Sequence, residues 1–225
     1  MVTSDADLGS PKGVTRRRAE TRRRLIEAAY DVFTEMGIRD APVELICDHA
    51  GFTRGAFYSN FASKEELFLA VYEVQMQERT QRLRAAVAEA TATVDPTSAD
   101  AVTRVLQDAG VLFMESLTAD ETWYLLNLEF RAQALRQPEL RAPTAAAERH
   151  FHDTLAEIML DMLGRLDMRL TVEPHSAVIT IVRLYETMLE RAIFDELPDK
   201  ADNRYLTDVL PRLFAALVAP GHSSV

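Results

Sequence analysis

Apolar residues recur along this chain at three- and four-residue steps, the period of helices that bury one face. Leu25, Ala28, Ala29, Val32, Phe33 and Met36 form the first stripe. They predict a helix from near Thr15 to Met36, ended by Gly37 as a glycine just past a helix terminus does. Pro42 suits a first helical position and opens a short second helix over Val43 to Ala50, stopped by Gly51. Arg54 to Phe61 is the third. Ser63 with Glu66 makes a capping box, each side chain answering an unpaired backbone N–H, and predicts a fourth helix reaching about Ala92. Asp95-Pro96-Thr97-Ser98 interrupts the pattern, and a fifth helix runs from Ala99 to Leu117. Thr118 with Glu121 is a second capping box, opening a sixth helix to Arg136, and Pro138 starts a seventh that reaches about Leu163.

Gly164 to Glu173 reads as a connection, and Pro174 begins an eighth helix striped by Val178, Ile181, Val182, Tyr185, Met188, Leu189 and Ala192. A ninth, after Leu197-Pro198-Asp199, carries Leu206, Val209, Leu210, Leu213, Phe214 and Leu217. Two adjacent wide apolar faces in one thin layer predict a two-fold dimer through these last two helices. Residues 1–14 lack periodicity and read as a disordered arm, 15–62 as one unit and 63–225 as a larger helical unit.

Eight Gly and nine Pro in 225 residues fit this all-α plan of about nine helices rather than a turn-dense β architecture. The formal net charge of −10 argues at first against a nucleic-acid partner, since phosphates are neutralised by Lys and Arg. Its distribution reverses the inference: residues 1–60 balance nine basic against nine acidic side chains, so the whole deficit lies beyond residue 60. Cys47 is the sole cysteine, which excludes an intrachain disulfide and fits a reduced cytoplasm. No apolar signal region opens the chain and no apolar run approaches a membrane span, so the reading is cytoplasmic with no membrane partner.

Two short helices around Gly51-Phe52-Thr53 match a helix-turn-helix, whose second helix enters the major groove of double-stranded DNA. Phe57 and Phe61, one turn apart, anchor that helix inward, while Gly55 and Ala56 are small enough for close backbone approach. Arg54 is then placed for a guanine edge, and Tyr58 and Asn60 for phosphates or neighbouring bases. Lys64, at the start of the fourth helix, is expected to attract a phosphate together with the terminal N–H groups. Arg16, Arg17, Arg18, Arg22, Arg23 and Arg24 spread around most of a helix circumference, as a phosphate-seeking entrance or a solvated basic arm would.

The stretch Gly51 to Leu69, GFTRGAFYSNFASKEELFL, resembles the signature of TetR-family repressors: a turn glycine, a short reading helix ending in Tyr-x-x-Phe, and a Ser-Lys-Glu-capped fourth helix. Leu25 to Ala29, Phe33, Gly37 and Ile46 also match, so the resemblance covers roughly residues 20–70. It implies an N-terminal helix-turn-helix DNA-binding domain and a helical-bundle ligand-binding and dimerisation domain. It also implies a homodimer through the last two helices and a pocket among the middle ones. By matching position, DNA contacts fall on Thr53, Arg54, Gly55, Ala56, Tyr58, Ser59, Asn60 and Lys64. Ala41-Pro42 stands where many members have a Thr or Ser that contacts phosphate, so that contact is not expected here.

Within the implied pocket region, Phe113, Trp123, Tyr124, Asn127, Phe130 and Arg131 are the candidates, Trp123, Tyr124, Asn127 and Arg131 each adding a polar atom to an apolar wall. Cys47 reads as a small buried hydrophobe. His150 and His152 are two apart on a helix and diverge, so no metal site is read, and no cofactor is implied. Enzymatic motifs are missing, and the adjacent carboxylates Glu65/Glu66 and Asp120/Glu121 are explained as first-turn helix residues. The reading is therefore a transcriptional regulator, a repressor by family default, released from a palindromic operator by a small apolar ligand. A DNA-binding protein without effector, or an all-helical enzyme, is the alternative.

Overall fold

The computed structural model describes residues 11–106, 108, 121–195 and 209–221. Its elements are α1 (Pro11–Met36), α2 (Val43–Ala50), α3 (Arg54–Tyr58), α4 (Lys64–Thr91), α5 (99–106), α6 (Glu121–Arg136), α7 (Pro138–Arg165), β1 (Met168–Leu170), α8 (Pro174–Phe194), α9 (Leu210–Leu217) and β2 (Val218–Pro220). No helix among the described residues is long and apolar enough to cross a membrane.

The helix ends follow the chemistry of their terminal residues. Gly37 (φ +80) and Gly51 (φ +71) both take the left-handed conformation that stops α1 and α2. Thr53 caps α3 by accepting from the Ala56 N–H, and Ser63 caps α4 by accepting from the Glu66 N–H at 3.2 Å. Glu66 reaches back past the cap and accepts from the Ala62 N–H at 2.6 Å, one residue earlier than the return bond of a standard capping box. Glu173 caps α8 with bonds from His175 and Ser176, which hold its carboxyl below the usual range.

Several boundaries differ from the sequence reading. α1 begins at Pro11, inside the stretch read as a disordered arm, whose residues 1–10 lie outside the described residues. Pro42 is the N-cap of α2 rather than its first helical residue. α3 ends at Tyr58, three residues short of Phe61. Within the connection after α7, β1 pairs antiparallel with β2, Arg169 opposite Ala219. Thr118 and the second half of the fifth helix lie outside the described residues.

Two hydrophobic clusters fill the interior. One runs from the first three helices through Phe68 and Val71 of α4 into Trp123, Leu126 and Phe130 of α6 and Tyr185 and Leu189 of α8, so the reading head and the near end of the body share packing. The other joins Leu83 and Val87 of α4 to α7, α8 and α9. All seven residues of the α8 stripe are buried, Val182 the most exposed at 7%, and five of them belong to these clusters. The width of this stripe therefore does not call for a second chain, contrary to the sequence reading; it faces inward because α6 and α7 supply the covering layer.

His150 is exposed and His152 buried, as divergent positions on α7 require. Burial, with charge from His175 and Arg183 added, pushes the His152 imidazole down to about 4. The folded chain thus binds this proton less readily than the unfolded chain, whose imidazole titrates near 6.5. Stability from this site is intact above pH 6.5 and falls as the pH drops from there toward 4, by about 2–3 kcal/mol. The expected result is a shallower acid dependence of the urea midpoint in His152→Leu than in the parent; parallel curves would show that His152 stays neutral in neither state's favour.

Candidate nucleic-acid interface and effector pocket

The short reading helix is oriented by its own aromatic residues. Phe57 and Phe61 are fully buried with rings 6.1 Å apart, and the Tyr58 ring meets Phe57 edge-on and turns outward. That leaves Thr53, Arg54, Gly55, Tyr58 and Ser59 exposed on one face, with Ala56 and Asn60 half-buried behind them. Nothing inside the chain requires glycine at 55: an added Cβ would lie in ordinary contact, 3.7 Å from the Thr53 hydroxyl.

Arg54 reaches back to Glu44 of α2 at 2.5 Å and lies over the Tyr58 ring at 5.9 Å. Tyr58 first, and Glu44 after it, raise its already high pKa, so its charge is permanent. Asn60 differs from expectation. Its amide donates to the Ala56 carbonyl at 2.8 Å and to the Ser59 hydroxyl, turning the side chain back to close α3 rather than out toward a nucleic acid.

Lys64 is likewise reassigned. Its ammonium donates to the carbonyls of Ile38, Arg39 and Ala41 at 2.9, 2.8 and 2.8 Å, which occupies all three N–H donors. A phosphate would have to displace a backbone carbonyl. The N–H groups of the same turn are held from the other side: the Glu129 carboxylate of α6 accepts from Ile38 and Arg39 at 3.1 and 2.8 Å. A Cβ on Gly37 would come within 3.0 Å of that carboxylate, so glycine supplies both the turn and the approach. Gln133 of α6 donates to Glu65 at the start of α4, a second tie between body and head.

The arginines of α1 divide their work. Arg22 donates to the Asn60 carbonyl at 3.0 Å while lying 4.2 Å from the Phe61 ring centre, and Arg24 lies over Phe52. Arg23 pairs with Glu20 and Glu27. Arg18 reaches the Ser59 carbonyl at 3.4 Å, and Arg16 and Arg17 are exposed at the helix entrance. The cluster is therefore partly a brace for α3. Cys47 is buried and burial pushes its thiol up, so it packs rather than reacts.

In the body, a cavity of about 80 Å³ lies between α4, α6, α7 and α8. Trp123, Tyr124, Asn127 and Arg131 all line it. Phe130 does not: it is buried against Phe68, ring centres 4.5 Å apart, as core. Phe113 lies outside the described residues. The sequence reading missed Tyr72, Met76 and Arg79 of α4, Phe151 of α7, and Tyr185 of α8. Arg131 bridges Glu148 and Glu186 at 3.3 and 3.0 Å, and Arg183 joins Glu186 at 2.6 Å. Burial pushes the Tyr72 phenol well above its ordinary pKa, with the charges of Glu148 and Glu186 adding to it. Among the described residues no cluster of His, Cys, Asp and Glu is arranged to hold a metal.

Residues 25–71 match the family described as bacterial regulatory proteins, tetR family. The transcriptional regulator CymR of Pseudomonas putida is 33% identical over 134 residues, 59% of this chain and 61% of that protein. The first matched curated relatives are spanned by this chain over 24%, 39% and 61% of their length. A putative TetR-family regulator from Mesorhizobium loti shares the fold over 90% of this chain and 98% of its own, with a TM-score of 0.64 and 20% identity. The multidrug binding protein EbrR, solved with imidazole, shares it over 99% and 100%, with a TM-score of 0.61 and 23% identity. The family match thus falls on the helix-turn-helix and the start of α4, and nearly the whole chain shares the fold of solved regulators described as TetR-family.

Proposed function

We propose that this protein is a DNA-binding transcriptional regulator that holds a palindromic operator as a homodimer and releases it when a small molecule enters the body. The observation that carries the reading is the reading helix, buried on Phe57 and Phe61 and bare on Thr53, Arg54, Gly55, Tyr58 and Ser59. The tetR-family match over residues 25–71 supports DNA as the partner, and repression is the mode the sequence resemblance implies. EbrR, as a multidrug binding protein of the same fold, supports a small-molecule effector.

The route from pocket to head runs through α6. Asn127 and Arg131 line the cavity, and Glu129 between them holds the turn from which α2 starts. A ligand that shifts α6 therefore acts on that turn, and also on the start of α4 through Gln133 and Glu65. Pairing uses the outward side of the last helices, where Phe194 is 75% and Val209 39% exposed, since the α8 stripe itself is buried.

The test is binding of the purified protein to DNA flanking its own gene. A palindrome with half-sites about 34–36 Å apart or a multiple of that should be protected, and compounds that release it should bind less tightly when operator is present. Absence of any protected site would remove the DNA-binding reading. Protection with no releasing compound would leave a regulator without effector.

A further inference from the structure

The cavity has a neighbour. A groove of about 480 Å³ runs along the outside of α4 and α7, and Tyr72, Met76 and Phe151 line both spaces. We infer that groove and cavity are two chambers of one ligand site, parted by Tyr72, Met76 and Phe151, and that the ligand is an elongated amphiphile with a ring at one end and an uncharged hydrogen-bonding tail at the other. The inference rests on the effector reading above and specifies the chemistry of that effector.

Size comes first. An apolar cavity of about 150 Å³ accepts benzene, whereas sites for whole ligands run to roughly 300–1,000 Å³. At about 80 Å³ the inner chamber is too small even for a ring until its wall gives way, whereas the groove alone has the volume of a whole site, so a ligand reaching the inner chamber has most of its length in the groove. The wall is built to give way. Met76 is an unbranched side chain with three rotatable bonds, one turn from Tyr72, and Phe151 is only half-buried. The Tyr72 and Phe151 rings meet edge to face with centres 6.5 Å apart, a contact that side-chain rotation opens without moving either helix.

The two chambers differ in chemistry. Trp123, Tyr185, Val182 and Leu189 give the inner one an aromatic and aliphatic wall, facing Asn127 and the mutually offset charges of Arg131, Glu148 and Glu186, so it suits a ring that carries a polar group such as a hydroxyl. Beyond the partition the groove offers Gln77, Thr80, Gln81, His150 and Thr154, donors and acceptors on both helices, while Glu73 and Arg84 offset one another in charge. A ring is therefore favoured inside, and a neutral tail of hydroxyl or ether oxygens outside.

Trp123 is the only tryptophan in the chain and lies in the inner chamber, so its fluorescence reports what enters there. Three probes separate the parts: phenol, triethylene glycol, and the triethylene glycol monoether of phenol. The joined probe should bind the full-length protein at least tenfold tighter than phenol, with no response to the glycol alone, because a docked ring raises the tail's effective concentration. Gln77→Phe and Thr154→Phe, which fill the groove from opposite helices, should each bring the ratio of the two affinities toward one. Phe151→Ala should speed association of the joined probe. A joined probe no tighter than phenol, or a ratio unchanged in both groove variants, overturns the two-chamber site while leaving the effector reading standing. If no probe perturbs Trp123, the two-chamber site falls, while the effector reading falls only if no compound of any chemistry releases operator.

Discussion

Lys64→Met is expected to lower the unfolding free energy by about 2–4 kcal/mol in the absence of DNA, the largest stability loss from any single exposed-end polar group in the head. Each hydrogen bond from a charged donor contributes roughly 1.5–3 kcal/mol, and three carbonyls of one turn depend on this ammonium. The loss is held below the sum because Ile38, Arg39 and Ala41 regain water in part once the ammonium is gone. Glu129 remains on the N–H side of the same turn, so the head should loosen rather than unfold outright. Chemical denaturation of parent and variant decides it. An unchanged midpoint, with a salt dependence of DNA binding reduced by about one counterion, would return Lys64 to the phosphate role that its place at a helix start suggests.

That reversal shows what a sequence can and cannot display. A lysine one residue after a serine cap is legible as a charge at a helix terminus, but the carbonyls it meets belong to a turn 23 to 26 residues earlier, brought there only by folding. Phe57 and Phe61 were legible as an inward pair because residues four apart share a helix face; α3 stops at Tyr58, but the Phe61 N–H still bonds to the Phe57 carbonyl at 2.9 Å, which keeps that spacing. The α8 stripe was equally plain as a stripe. Which layer covers it is a tertiary matter, and α6 and α7 cover it within the chain, as the burial of Val182 shows. Substituting a glutamate there would test core packing and not pairing. β1 and β2, three residues each, are too short to carry a two-residue period against helices on either side. Of the cavity, the wall from α6 was readable as polar atoms on aromatic or long side chains. The rest comes from single residues on α4, α7 and α8, whose convergence no local pattern records.

Arg54→Ala is expected to weaken binding by about 1–3 kcal/mol per half-site, a five- to 150-fold loss for each head, and to erase base preference at one position in each half-site. Arg54 stands at the first position of the reading helix, beside Thr53 and the bare Gly55, where the helix end meets the major groove. Its present partner is no obstacle. The side chains of Arg54 and Glu44 are 58% and 55% exposed, and exposed ion pairs contribute only about 0–1 kcal/mol, less than a bidentate contact to guanine gains. Glu44 nonetheless competes for the guanidinium and places a negative charge beside the phosphates. Glu44→Gln should therefore tighten binding several-fold across all sequences without changing which base is preferred. The two variants make opposite signatures: one loses discrimination, the other gains affinity uniformly. Binding to a panel of single-base operator variants, at one fixed salt concentration, separates them. A base-preference profile for Arg54→Ala that overlays the parent's would show that Arg54 touches only backbone, and would move the reading role to Tyr58 and Ser59, the remaining exposed side chains with hydrogen-bonding groups at the far end of the same face.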